Sequence, residues 1–398
     1  MGRSTELIHH PYRAPDAFDA PQPGVFKAST VFFPTVQAMR ERDWKDKSAY
    51  TYGLHGTPTT FLLEERLCAL EGGRHAVLVP SGLAAIAQTN LAFLQAGDHV
   101  LIPNNAYGPS RALAKGELDR LGVTHALYDP LSVDDLKSRI TPQTRLVWLE
   151  APGSVTLEFP DLMAMVKVCQ DRGVLTALDN TWGAGLAFQP FDLCPGSAER
   201  LSVDVSVHAL TKYPSGGGDV LMGSVMTHRD DLAQALKLSH MRLGFGVGAN
   251  DAEAILRALP SMDMRYAHQD RSARELAAGV QGHPRVHQVL HPALPESPGH
   301  AHWQALCGPA GRAAGLFSLI LDPALSAAQV DAFCESLRCF KLGYSWGGPV
   351  SLVVPYAWST LRGEVPAHLK PGHLVRFSTG LEDAEDLLAD LLQALSLA

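Results

Sequence analysis

From Phe61 onward the chain alternates short apolar runs with stretches long enough to be helices, and this alternation restricts the fold more than any other feature. The apolar runs are Ala76 to Val79, His99 to Ile102, His125 to Tyr128, Leu146 to Leu149, Leu175 to Leu178 and Val203 to Val207. Each is too short for a helix and bulky enough for a buried strand. Strands joined by helical crossovers pair in parallel, so the predicted class is α/β with a mainly parallel sheet. The helical pattern from Asp161 to Arg172 stops at Gly173, and the run Leu175 to Leu178 follows at once, so Asp179 is expected at the carboxyl end of a strand. Open α/β sheets bind ligands in the crevice beyond those strand ends, which directs attention to the loops that follow each strand.

The flanks of this core read differently. Residues 1–60 are rich in Pro, Gly and aromatic side chains (Pro11, Pro15, Pro21, Pro23, Phe32, Phe33, Pro34) without a helical or strand period, the pattern of an arm that wraps something else. Residues 61–249 hold the alternating core. Residues 250–398 change texture, with one long helix over 251–279, strands over 286–291, 315–321 and 374–378, and helices over 327–337 and 384–395, which predicts a smaller α+β domain.

A hydrophobic content of 46% over 398 residues supplies a large core. The net charge of −8 offers no broad basic surface, which argues against a nucleic-acid partner. The six cysteines are scattered, with no metal spacing, and fit reduced thiols in a cytoplasmic protein. Met1 to Tyr12 lacks an apolar signal region, and the uncharged stretch from Ala76 to Gly97 is broken by Pro80 and Ser81-Gly82, so neither secretion nor a membrane span is expected.

Several strand-end loops carry residues suited to one chemistry. The loop after Val207 contains Thr211-Lys212-Tyr213 and then Gly216-Gly-Gly218, so Lys212 sits among small residues that permit close approach of a flat ligand. A partly desolvated amine loses its proton readily and condenses with carbonyls; the alternative is an ordinary solvated loop lysine. Asp179 would hold a proton on a pyridine-type nitrogen, or alternatively cap a helix. Ser81-Gly82-Leu83 opens a helix with free N–H groups, an anion site that is weak on its own. Tyr107 offers a face for stacking, though most such tyrosines pack. An imine lysine, an acid, a phosphate cradle and a stacking ring on successive loops together point to pyridoxal phosphate (PLP).

The same residues carry a family likeness. Ala28-Ser-Thr-Val-Phe32, Tyr52-Gly-Leu-His-Gly-Thr-Pro-Thr59, Gly97-Asp-His-Val100, Asp179-Asn-Thr-Trp182, Thr211-Lys-Tyr213 and Gly380-Leu-Glu-Asp383 resemble the Cys/Met metabolism family of PLP enzymes nearly end to end. Glu150-Ala-Pro-Gly-Ser-Val-Thr-Leu-Glu158 and Tyr344-Ser-Trp-Gly-Gly348 are similar to the versions found in members that eliminate at Cβ. The resemblance implies the PLP-dependent transferase fold of aspartate-aminotransferase type. It also implies a homotetramer of tight dimers whose arms complete each other's sites, with L-cystathionine as substrate. Its implied roles are Lys212 as imine and proton shuttle, Asp179 on the ring nitrogen and Tyr107 stacked on the ring. The phosphate falls to the Gly82 and Leu83 amides and the Thr211 hydroxyl, with Tyr52 reaching it from the partner subunit. Arg376 clamps the substrate α-carboxylate, and Tyr344, Ser345 and Trp346 line the substrate pocket. Two positions depart from the pattern: Leu54 stands where an arginine is common, and Ala209 where many relatives carry serine. Alternatives at this stage are a broad cysteine-conjugate lyase, a member acting at Cγ, and a regulator that has kept the scaffold.

Overall fold

The computed structural model describes residues 2–11, 20–44, 47, 49–197, 200–308 and 310–397, so Pro15 and its neighbours in the expected arm lie outside the described residues. Seven strands form the larger sheet: β1 (His75–Val79), β2 (His99–Pro103), β3 (Thr124–Tyr128), β4 (Thr144–Glu150), β5 (Leu175–Asp179), β6 (Val205–Ala209) and β7 (Gly223–Thr227). Their spatial order is β1-β7-β6-β5-β4-β2-β3. All pairings are parallel except the two made by β7. Alternate residues of these strands serve two separate cores. Leu78, Leu101, Val147 and Leu178 pack on one face, and Val79, Val100, Trp148 and Val207 on the other.

The helix Pro58–Glu71 shows how local chemistry places an element under this sheet. Thr57 and Thr60 form a reciprocal cap, Pro58 opens the first turn, and Gly72 ends the helix with φ of 78°. Its Leu62, Leu63, Leu67 and Leu70 are buried in the first of those cores, each worth about 1.5–3 kcal/mol of transfer energy as an upper bound.

The second sheet is mainly antiparallel: β8 (Val286–Leu290), β9 (Leu316–Leu321), β10 (Lys341–Leu342), β11 (Leu352–Tyr356) and β12 (His373–Ser378), in the order β10-β11-β12-β9-β8. Phe377 of β12 stacks on Phe317 with ring centroids 5.0 Å apart and meets Phe333 and Phe340 edge-on, which ties β12 to its core. Among the described residues, no helix is long and apolar enough to cross a membrane.

Two sequence expectations need correction, and two strands lie where the sequence pattern predicts none. The strand expected over 203–207 lies at Val205–Ala209, because the Asp204 carboxylate accepts from the Thr176 N–H and hydroxyl and acts as a bracket before the strand. The long helix over 251–279 is two helices, Ala249–Ala258 and Met262–Gly279, separated by a 3-10 turn around Pro260, whose ring and missing N–H break the ladder. β7 carries only two large apolar residues, Val225 and Met226, and so shows no apolar run in the sequence. β11 contains Pro355, which argues against a strand, yet the two residues of β10 pair only with Leu352 and Val353, so Pro355 lies beyond them at a sheet edge.

Candidate active site

β5 and β6 are parallel neighbours with Asp179 opposite Val207, so the residues that follow them emerge side by side. The chain after β6 makes a compact turn, closed by the Lys212 N–H on the Ala209 carbonyl (3.1 Å) and the Gly216 N–H on the Lys212 carbonyl (3.0 Å). Thr211 pins this turn to the approach of β7, its hydroxyl accepting the Met222 N–H at 3.2 Å. Thr181 links the two strand ends: its hydroxyl accepts the Ala209 N–H (2.9 Å) and donates to Asp179 Oδ1 (2.5 Å). The Thr181 N–H donates to the same oxygen at 3.0 Å. Burial pushes the Asp179 carboxyl up, opposed by these hydrogen bonds and by the positive fields of His208 and Lys212. Beneath lies buried Glu71, which accepts from Asn180 Nδ2 (3.1 Å) and Ser206 Oγ (2.7 Å) and meets His208 Nδ1 at 2.7 Å.

Lys212 Nζ donates to Ser345 Oγ at 2.8 Å and lies 5.4 Å from the centre of the Trp346 ring. Burial and the nearby Arg376 guanidinium lower its ammonium from 10.5 to about 8, with Asp179 pulling the other way. An amine held near neutrality serves as nucleophile and as base.

Ser345 has φ of +88°, an uncommon backbone state for a residue with a side chain. In that conformation its hydroxyl faces Lys212 while its carbonyl accepts from Arg376 Nη2 at 3.1 Å. One strained residue thereby touches both cations. Arg376, only 8% exposed, projects from β12 over the Tyr356 ring at 5.6 Å. Its Nε–H is buried without a partner among the described residues. Tyr344, expected to line the pocket, is 81% exposed on this chain.

Close backbone packing on the Lys212 turn comes from a glycine distant in sequence. A Cβ on Gly216 would meet the Arg265 guanidinium, whereas a Cβ on Gly347 would come within 3.0 Å of the Tyr213 nitrogen and 3.1 Å of the Lys212 carbonyl carbon. Gly347 therefore gives the close packing around Lys212, at φ of +80°.

Tyr107 opens the helix Gly108–Leu113, and its N–H donates to Glu150 Oε1 at 2.7 Å. Glu150 lies opposite Asp179 in the β4–β5 register, and burial together with the Asp179 charge pushes its carboxyl well up. The Tyr107 ring is 42% exposed. Burial raises its hydroxyl, as does Asp179, while Arg376 acts in the opposite sense, so the three share one electrostatic environment.

Ser81 caps the helix Gly82–Phe93 by accepting the Ala84 N–H, and the Ala85 N–H goes to the Ser81 carbonyl. The Gly82 and Leu83 N–H groups have no partner among the described residues, which leaves two free donors at the N-terminus of this helix. A Cβ on Gly82 would sit 2.5 Å from the Ala209 Cβ, so glycine here lets the helix end approach the end of β6.

The chain matches the family described as Cys/Met metabolism PLP-dependent enzyme over residues 4–396. It belongs to that family. A putative cystathionine beta-lyase of Rhizobium johnstonii is 39% identical over 98% of this chain and 95% of its own length. The cystathionine beta-lyase of Salmonella typhimurium is 36% identical over 92% of this chain and 91% of its own. A solved cystathionine gamma synthase of Xanthomonas oryzae pv. oryzae has 29% identity and a TM-score of 0.87, covering 100% of this chain and 98% of that one. As a member of the Cys/Met metabolism family, the chain is a PLP-dependent enzyme of aspartate-aminotransferase fold type.

Of the residues singled out in the sequence, Lys212, Asp179, Tyr107, Arg376, Ser345 and Trp346 meet at this place. Tyr52 does not join them: it is half-exposed, bridged to Thr30, with its ring edge-on to His55. His55 is occupied as well, stacked on Trp44 at 4.9 Å and joined to the Thr51 hydroxyl at 2.9 Å. Sequence reasoning missed Glu150 and Tyr356 as site residues. The register of β4 against β5 would have exposed the first, since it is the strand-end position next to Asp179.

Proposed function

We propose that the chain is a carbon–sulfur lyase that eliminates at Cβ of L-cystathionine, yielding homocysteine, pyruvate and ammonia. The observation that carries this reading is the Lys212 amine, near neutrality, held by Ser345 beside a buried arginine with an unused N–H. The site's donors also fit PLP. The orphaned Gly82 and Leu83 N–H groups suit a phosphate, to which the Thr211 hydroxyl would add a further donor, and Asp179, which among the described residues accepts at Oδ1, keeps Oδ2 for a ring N–H.

PLP, when bound, withdraws electrons from the substrate Cα and makes its C–H bond acidic. Arg376 then receives the substrate α-carboxylate in a planar fork and orients the Cα–H bond toward Lys212. The Lys212 amine takes the Cα proton and, with Tyr107, returns a proton to the departing sulfur. Tyr107 would cover the ring, and Tyr344, Ser345 and Trp346 would wall the side from which the thiol leaves. Elimination at Cβ is favoured by the Gly153-Ser154 and Trp346 versions of their loops and by the named β-lyase relatives.

Tyr52 would reach the phosphate of a partner subunit in a dimer of dimers. The apolar side chains exposed along residues 1–60 suit that role, Phe32 at 94% and Val36 at 58%. Residues 61–249 then form the cofactor domain and 250–398 the smaller one, in a cytoplasmic enzyme. Action at Cγ is the competing reading, supported by the likeness to cystathionine gamma synthase.

Incubation with PLP and L-cystathionine, with both products identified by mass spectrometry, separates them. Pyruvate with homocysteine supports elimination at Cβ, and 2-oxobutyrate with cysteine overturns it. Absence of both products points to another thioether.

A further inference from the structure

The segment between β11 and β12 leaves the small sheet, grips the large one, and returns. Arg362 in this segment lays its guanidinium fork on Glu158, with Nη1 2.7 Å from Oε1 and Nη2 3.2 Å from Oε2. The two side chains are 6% and 0% exposed. His368 Nε2 lies 3.0 Å from Oε1, and Oε2 also accepts from Asn105 Nδ2 (2.9 Å) and Thr156 Oγ1 (2.5 Å). A second tie runs through Arg111, which donates to the Leu361 carbonyl at 2.6 Å and to the Asn104 carbonyl at 3.2 Å. The loop that holds Glu158 presses on Asn105 as well, since a Cβ on Gly153 would sit 1.8 Å from Asn105 Nδ2.

These contacts bracket Tyr107 on both sides in sequence, at Asn104 and Asn105 before it and at Arg111 after it. The same segment starts at Tyr356, under the Arg376 guanidinium, and ends in β12, which carries Arg376. One strap thus joins the ring-stacking tyrosine to the arginine of the other sheet. Its position calls for a reason beyond stability, because a buried ion pair contributes little that apolar residues of similar volume would not.

We propose that Glu158 and Arg362 are positioning residues whose buried pair sets the spacing between the Tyr107 loop of the large sheet and the Arg376 strand of the small one. The inference rests on the proposed roles of Tyr107 and Arg376 in holding cofactor and substrate. Loss of the pair misplaces those two groups relative to each other while leaving the Lys212 turn intact.

The test is hydrogen–deuterium exchange of the cofactor-loaded enzyme, read by mass spectrometry, for Arg362→Leu, Glu158→Gln and the double variant. Exchange over residues 104–111 is expected to quicken by about tenfold in either single variant, with no further increase in the double variant. Steady-state kinetics should show kcat/KM falling by about ten- to a hundredfold, mostly through KM, with PLP absorbance retained. Altered exchange confined to 358–369, or unchanged exchange over 104–111, overturns the proposal. If Arg362→Leu does not fold, His368→Gln at the margin of the cluster replaces it, with a smaller effect of the same kind; unaltered 104–111 exchange there is equally fatal. Exchange needs no substrate, so failure of the cystathionine reading alone leaves this result standing.

Discussion

Replacing Arg376 by lysine isolates what the guanidinium contributes beyond its charge. In the structure Nη2 is committed to the Ser345 carbonyl at 3.1 Å, while Nε is buried and has no partner among the described residues. An unsatisfied buried donor costs about 1–3 kcal/mol, and a hydrogen bond to a charged group contributes about 1.5–3 kcal/mol. A carboxylate arriving at the free edge of Arg376 relieves the first and gains the second. Lysine offers a point charge and can replace one of two parallel bonds, so Arg376→Lys is expected to lose about 1.5–3 kcal/mol of substrate binding. That corresponds to about a ten- to hundredfold rise in KM, at 1.4 kcal/mol per factor of ten. The positive charge near Lys212 is retained, so its ammonium should stay near about 8. The assay is pyruvate formation from cystathionine, with PLP retention followed by absorbance in the same samples. An unchanged KM with cofactor fully bound would refute the clamp.

Three further outcomes are expected. Lys212→Ala should keep its far-ultraviolet circular dichroism and lose nearly all turnover; substantial turnover in the folded variant would remove Lys212 from the mechanism. In the cofactor-free protein, labelling of Lys212 by an amine-reactive reagent should rise with a midpoint at about 8, below the ordinary 10.5, because only the neutral amine reacts. A midpoint near the ordinary value would contradict the desolvated site. Glu158 carries the third. Against the burial that raises it, His368, Arg362, Asn105 and Thr156 bring its carboxyl from 4.5 down to about 2. The unfolded chain therefore takes up the proton first, and stability present above about 4.5 is lost as pH falls toward about 2. The full difference is about 3 kcal/mol. Acid unfolding of Arg362→Leu should show a shallower loss over this window, and matching profiles for the two proteins would defeat the assignment.

The strands and the loops that carry Lys212, Asp179 and Tyr107 were legible because each depends on neighbours in sequence. A short apolar run, a helix stop at Gly173 and the Ser81 cap act within a few residues. Boundaries failed where a distant partner intervened, as at Asp204, whose carboxylate serves Thr176. The glycines after Lys212 suggested room for a ligand, but which glycine packs on the lysine depended on a loop more than a hundred residues away, through Gly347.

Fold class, the strand ends where chemistry gathers and the family are all readable along the chain, since periodicity and contiguous motifs are local properties. Folding alone brings Ser345 to both Lys212 and Arg376, Glu150 beside Asp179, and Arg362 onto Glu158. Such contacts join segments well separated along the chain, some across the two sheets and some between neighbouring strands of one sheet. Their distances follow from how strands register and cores pack, which no spacing along the chain records.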